Sequence, residues 1–145
     1  MSLFSSLSVS ASGMSAQRAR TEVLVENLAN SETTRTPDGG PYRRKDVVFA
    51  EDGGMGSFSS AMDSALGNNL SGVMVSETTV DDSPPEMRYM PSHPDANKDG
   101  YVAFPKINPA EDMVDLLGAS RGYEANVAAI SAVKDMISKS LDLFR

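Results

Sequence analysis

The string with the clearest chemical potential is Asp95-Ala96-Asn97-Lys98-Asp99-Gly100-Tyr101-Val102. Side-chain oxygens at alternate positions, followed by glycine, open a calcium loop: the oxygens converge on the ion and the glycine permits the sharp bend. The twelfth position of such a loop is a bidentate Glu. Here it is Lys106, preceded by Pro105, and Pro91 and Pro94 keep a helix from leading in. The same string equally makes a tight turn in which Asx side chains accept backbone hydrogen bonds. Both readings are open at this level.

Arg43-Arg44-Lys45 is the single basic cluster of the chain. It suits either contact with an acidic patch on a neighbour or a solvated loop. His93, between Ser92 and Pro94, has no second His or Cys with which to share a metal. Serine is abundant, yet there is no G-x-S-x-G string and no second histidine to act as its base. Asp81-Asp82 falls at a turn. Glu111-Asp112 falls in a helix first turn, where the helix dipole favours negative charge without any catalysis. No glycine loop cradles a phosphate. These spacings imply no enzyme, no catalytic residue, no metal site and no cofactor.

Composition points the same way. Among 145 residues, 13 Lys and Arg stand against 20 Asp and Glu, for a net charge of −7. An acidic chain lacks the basic face that nucleic acid or anionic lipid requires. No apolar run approaches the roughly 20 residues of a membrane span. Met1 to Ser15 has no Lys or Arg and no continuous apolar stretch, so no cleaved secretory signal is expected. With no Cys, disulfides and thiol chemistry are excluded.

The elements follow from proline. All eight prolines fall between Pro37 and Pro109, leaving a proline-free arm of 36 residues at each end. Since proline breaks helix interiors, the arms are expected to be helical and the middle not. Asn108-Pro109-Ala110-Glu111 reads as a helix start: a capping Asn, Pro at the first position, Glu three residues after the cap. From there a heptad seam runs through Met113, Leu116, Ser120, Tyr123, Val127, Ile130, Lys134, Ile137, Leu141 and Phe144, eight of ten apolar. A helix from 110 to 144 would be roughly 50 Å long at ~1.5 Å per residue.

The first arm repeats the seam more weakly through Leu3, Leu7, Ser10, Met14, Gln17, Thr21, Leu24 and Leu28, with Ala11 and Val25 widening it. Seven of its first fifteen residues are Ser, a poor helix former, so its first turns depend on a partner surface. Asn30 reads as its stop. Strands are expected at Tyr42 to Phe49, Val73 to Val80, Met87 to Met90 and Tyr101 to Phe104. Residues 51–72 read as a flexible loop with one helical turn near Ala61 to Leu66. The chain is thus α+β: a helical arm over 1–36, a β-rich middle domain over 37–109, and a long helix over 110–145 that pairs with the first arm in a coiled-coil-like α domain.

Two strings then resemble a known family. Asn27-Leu28-Ala29-Asn30 is similar to the N-L-A-N signature of the bacterial flagellar axial proteins (rod, hook and hook-associated). Ser120-Arg121-Gly122-Tyr123-Glu124-Ala125-Asn126 resembles the matching C-terminal signature. Thr33 to Pro37 running into Gly39 to Lys45, and His93 to Asn97 continuing through Gly100-Tyr101-Val102, resemble the proximal-rod branch of that family. The resemblance spans Leu3 to Phe144 except residues 51–72.

It implies a non-catalytic subunit of the flagellar basal-body rod, a tubular drive shaft. Such a subunit would be exported unfolded by the flagellar type III apparatus and assembled in the periplasm. The implied partners are further copies of the chain, the sister rod proteins FlgB, FlgF and FlgG, the rod-base adaptor FliE and the MS-ring. The basal seam residues then become assembly contacts: Leu3, Leu7, Met14, Leu24, Asn27, Leu28, Asn30, Arg43, Arg44, Met113, Leu116, Tyr123, Asn126, Val127, Ile130, Ile137, Leu141 and Phe144. Leu24 and Leu28 are expected to meet the second half of the C-terminal seam within one subunit. Asn27, Asn30 and Asn126 are expected to satisfy backbone groups where helices approach closely. On the same residues, Asp95 to Gly100 becomes a turn and Arg43 to Lys45 a subunit-contact loop. Another rod or axial subunit, a calcium-binding module and a coiled-coil adaptor are the alternatives.

Overall fold

The computed structural model describes residues 3–37, 39–52 and 71–143. Two long helices, α1 (Leu3–Ala29) and α2 (Pro109–Asp142), flank four strands: β1 (Lys45–Asp52), β2 (Gly72–Val80), β3 (Glu86–Tyr89) and β4 (Tyr101–Phe104). The architecture is α+β. Among the described residues no helix is long and apolar enough to cross a membrane.

The ends of both helices are set by local chemistry. Asn108 caps α2 by accepting the Ala110 N–H at 3.2 Å, with Pro109 just inside and Glu111 and Asp112 in the first turn. The α1 helix ends at Ala29; the Asn30 side chain donates to the Glu26 carbonyl at 2.9 Å and accepts from the Thr33 hydroxyl at 3.2 Å, which closes the last turn.

The helices form an antiparallel hairpin within the chain. Gln17 lies against Gly122, and Gly13 against Asn126; a Cβ at either glycine would stand 3.2 Å and 3.1 Å from those side chains. Lacking it, the glycines let the helices approach closely. The Arg20 guanidinium is 3.9 Å from Asp115, further toward the closed end. These pairs set Leu24 against the first turns of α2, where it shares a cavity with Asp115. Contact of Leu24 and Leu28 with the second half of α2, as expected from the seam, is therefore ruled out by the helix direction. With 27 residues against 34, α1 is also too short to cover α2.

The phase of the seam also differs from expectation. In α2 the buried residues are Asp112, Ala119 and Val133; in α1 they are Ala16, Leu24 and Asn27. The inner face of α2 thus runs through 112, 119, 122, 126 and 133, rotated by about one residue from the apolar seam. Ala11 and Val25, expected to widen the inner stripe, are exposed. Small and polar residues line the crossing because they allow close approach, while the larger apolar ones flank it.

β1 and β2 pair antiparallel from Lys45↔Val80 to Asp52↔Gly72, with a bulge at Ser76 where the register shifts after Val48. This pair lies along α1: the Ser12 hydroxyl accepts the Val73 N–H at 3.0 Å. Residues Glu51, Asp52 and Gly72, expected at the edges of a loop, are strand residues. Residues 53–70 of that expected loop, with its helical turn at Ala61 to Leu66, lie outside the described residues. The first strand starts at Lys45 rather than Tyr42, for a reason given below.

β3 and β4 form a second antiparallel pair, Glu86↔Phe104 to Tyr89↔Tyr101, with Val102 and Phe104 buried. Their connection needs Gly100 at φ +81°, where any Cβ would also come within 2.8 Å of the Tyr89 ring.

Candidate functional site

The densest polar construction sits where α1 ends, β1 begins and α2 starts. Asn27 is fully buried and its side chain makes three hydrogen bonds. Its Oδ1 accepts from the Tyr42 hydroxyl at 3.0 Å and from the Lys45 N–H at 2.9 Å; its Nδ2 donates to the Lys45 carbonyl at 2.8 Å. One side chain thereby mimics a strand edge and pins the chain at Lys45. That is why regular β structure starts there and not at Tyr42. The Tyr42 N–H is occupied by the Thr33 carbonyl at 3.1 Å.

Charge closes the same junction. Arg44 donates to the buried Asp112 Oδ1 at 3.0 Å and lies 3.4 Å from Asp46. Lys45 Nζ lies 2.5 Å from Glu26 and 5.7 Å from the centre of the Tyr42 ring. Burial, reinforced by the Glu26 carboxylate, pushes the Tyr42 phenol up to about 12. Burial opposes the Arg44 charge, but Asp46 and Asp112 outweigh it and hold its pKa above the usual value. The arrangement is a latch, in which an oriented amide and an ion pair join three segments distant in sequence. It presents no nucleophile beside a base.

The other expected contact residues separate into groups. Asn126 donates to the Gly122 carbonyl of its own helix at 2.9 Å, while its amide packs against Gly13. Asn27, Asn30 and Asn126 each bond a backbone group, but not between helices: Asn27 reaches across to β1, and Asn30 and Asn126 bond within their own helices. Leu7, Met14, Leu28, Leu116, Ile130 and Ile137 are half-buried along the hairpin. Leu3, Met113, Tyr123, Val127 and Leu141 are exposed. Phe144 lies outside the described residues. Arg44 is committed to the latch, whereas Arg43 stands in solvent with Asp82 at 2.6 Å.

The Asp95–Gly100 string forms an Asx turn. Asn97 Oδ1 accepts the N–H groups of Asp99 at 3.0 Å and Tyr101 at 2.8 Å. Asp95 accepts from the Thr34 hydroxyl at 2.9 Å and lies 3.5 Å from Arg35, which ties this loop to the segment leaving α1. Sequence reasoning missed Tyr42 and Asp112 as latch partners. No local pattern marks either of them, because each acts across more than ten residues.

The ends that form the hairpin match two family models: residues 7–35 match the flagella basal body rod protein model, and residues 98–143 the C-terminal model of the flagellar basal body rod FlgEFG proteins. These define a class, the rod-type axial subunits. Over the whole chain, the flagellar basal-body rod protein FlgC of Bacillus subtilis is 46% identical, covering 99% of each chain. That of Borreliella burgdorferi is 42% identical over 100% of this chain and 99% of its own. That of Salmonella typhimurium is 35% identical over 99% and 98%. The chain belongs to the FlgC family of flagellar basal-body rod proteins and is a structural subunit of the bacterial flagellar basal body.

Proposed function

We propose that the chain builds the proximal, periplasmic part of the rod by lateral packing of its helical hairpin, without catalysis. Its neighbours are further copies of itself, the sister rod proteins FlgB, FlgF and FlgG, and the FliE and MS-ring base. It reaches them through the flagellar type III export apparatus. The observation that carries this reading is the outer face of α2. Met113, Tyr123, Val127 and Leu141 are exposed there at heptad spacing, beside the face used within the chain. An exposed apolar row of this length favours association with another surface.

The test separates assembly from folding. Val127→Asp puts a charge on the exposed row and leaves the intrachain face intact, so the isolated chain keeps its melting temperature and is lost from purified basal bodies. Lys139→Asp, on an exposed turn, is recovered in basal bodies at wild-type levels. Normal incorporation of Val127→Asp rejects the row as an assembly surface.

A further inference from the structure

The crossing of the two helices is built from two amides and two glycines. Gln17 of α1 lies over Gly122, and Asn126 of α2 lies over Gly13. Residues 13 and 17, like 122 and 126, are one helical turn apart, so each side chain enters the notch left by the other helix's glycine. The two seats differ in quality. Asn126 donates to the Gly122 carbonyl at 2.9 Å and packs 3.1–3.3 Å from where a Cβ of Gly13 would stand. Gln17 Oε1 is buried with no hydrogen-bond partner. A buried amide oxygen without a donor is a standing penalty, and a methionine of similar length would fill the same notch without it.

One turn away, α2 carries a second notch. A Cβ at Gly118 would meet nothing within 4 Å, and Gly118 is exposed, so an amide seated there would reach water. Sliding α1 by one turn, ~5.4 Å, would move Gln17 from Gly122 to Gly118. The same slide would carry Asn126 from Gly13 to Val9, where a β-branched side chain replaces the notch. Gly13 is the one glycine of α1, so Asn126 has a single seat while Gln17 has two.

We infer that Asn126 is the positioning residue that fixes α1 on α2 in this register, against a pull from Gln17 toward the next turn. A polar residue inside a helix seam can act in this way, giving up stability for a single register. The Arg44–Asp112 pair restrains the same slide from the closed end, because Asn27 binds β1 to α1 while Asp112 belongs to α2. The register decides which part of α2 is left uncovered by α1. The inference concerns the single chain and stands independently of the rod reading.

The chain has no cysteine, so an introduced pair reports one contact. Arg20→Cys with Asp115→Cys, joined by a short bis-maleimide, marks the present register, in which the native side chains lie 3.9 Å apart. Arg20→Cys with Glu111→Cys marks the slide of one turn. Both pairs are placed in the isolated full chain carrying Arg44→Ala and Asp112→Ala, which remove both halves of the closed-end pair. The first product alone is expected there. Adding Asn126→Ala should raise the second product from undetected to at least about a tenth of the first. Adding Gln17→Met as well should abolish it again. That reversal separates register from packing, since a seam merely loosened by Asn126→Ala would slip no less with Gln17 replaced. Asn126→Ser, which also empties the Gly13 notch, is read in the same way should the alanine variant not fold. The first product alone after substitution of Asn126 overturns the inference. So does a second product that survives Gln17→Met, or a parent chain that lacks the first product.

Discussion

The two ends of the helical hairpin are built on different principles. At the closed end, directional hydrogen bonds join Tyr42 to Asn27 and Arg44 to Asp112, and Leu24 is buried. At the open end, Phe4, Met136, Leu141 and Leu143 are all at least half exposed, and Val133 is the buried residue of that stretch of α2. Polar bonds specify one geometry and are expensive to leave unmade, whereas apolar surface accepts any partner of suitable shape. A subunit that must keep its own fold while leaving a surface free for others gains from this division. The closed end fixes how the strands hang from the hairpin; the open end leaves its large apolar groups exposed.

The sharpest way to break this comparison is Asn27→Ala. It leaves the Tyr42 hydroxyl and both backbone groups of Lys45 without their partner. At ~1–3 kcal/mol per unsatisfied buried group, partly relieved by water entering the gap, the isolated chain should lose about 3–4 kcal/mol in chemical denaturation. Leu7→Ala at the open end should lose less than about 1 kcal/mol in the same measurement, because its side chain is only half buried. Equal losses at the two ends would show that the latch is not what holds the subunit together.

Tyr42→Phe tests one bond of the latch and should cost about 1 kcal/mol at neutral pH. The same phenol gives the wild type a pH signature. Its pKa is 10.0 when unperturbed and about 12 in the fold, so between those values the native state holds the proton more tightly than the unfolded chain does. This contribution is complete below pH 10 and is lost as pH rises toward 12. Because that shift outweighs the ~1 kcal/mol bond, the denaturation midpoints of wild type and Tyr42→Phe should converge and then cross within that window. Parallel curves would mean that the phenol is not buried against Glu26.

Much of this architecture was legible in the sequence. Proline confined the helices to the two ends, Asn108-Pro109 marked the start of α2, and Tyr101 to Phe104 gave β4 its bounds. The hydropathy seam of α2 lies about one residue round from the buried face of the hairpin, for a physical reason. The inner face uses Gly13, Ala16, Ala119, Gly122 and Asn126, whose small or polar side chains carry little hydrophobic signal, while the larger residues that set the apparent period stand to one side. Asn27 was visible only through its family resemblance. Asp112 looked like an ordinary first-turn acid, because its partner Arg44 is 68 residues away.

The smallest effect concerns the two glycines of α2, which hydropathy treats alike and the structure separates. A Cβ at Gly122 would meet the Gln17 side chain at 3.2–3.4 Å, so Gly122→Ala gains helix propensity but crowds the crossing. A Cβ at Gly118 would meet nothing within 4 Å. Gly118→Ala should accordingly raise the stability of the isolated chain by about 0.5–1 kcal/mol, the usual difference between the two residues in a helix interior. Gly122→Ala should fall short of that gain. Because Gly118 is exposed beside the outer apolar row, the same substitution also probes the assembled state. An Ala that stabilises the isolated chain yet lowers its recovery in basal bodies would show a neighbouring helix packed within a methyl group's reach of position 118. Unchanged recovery would leave that side of α2 facing solvent in the rod.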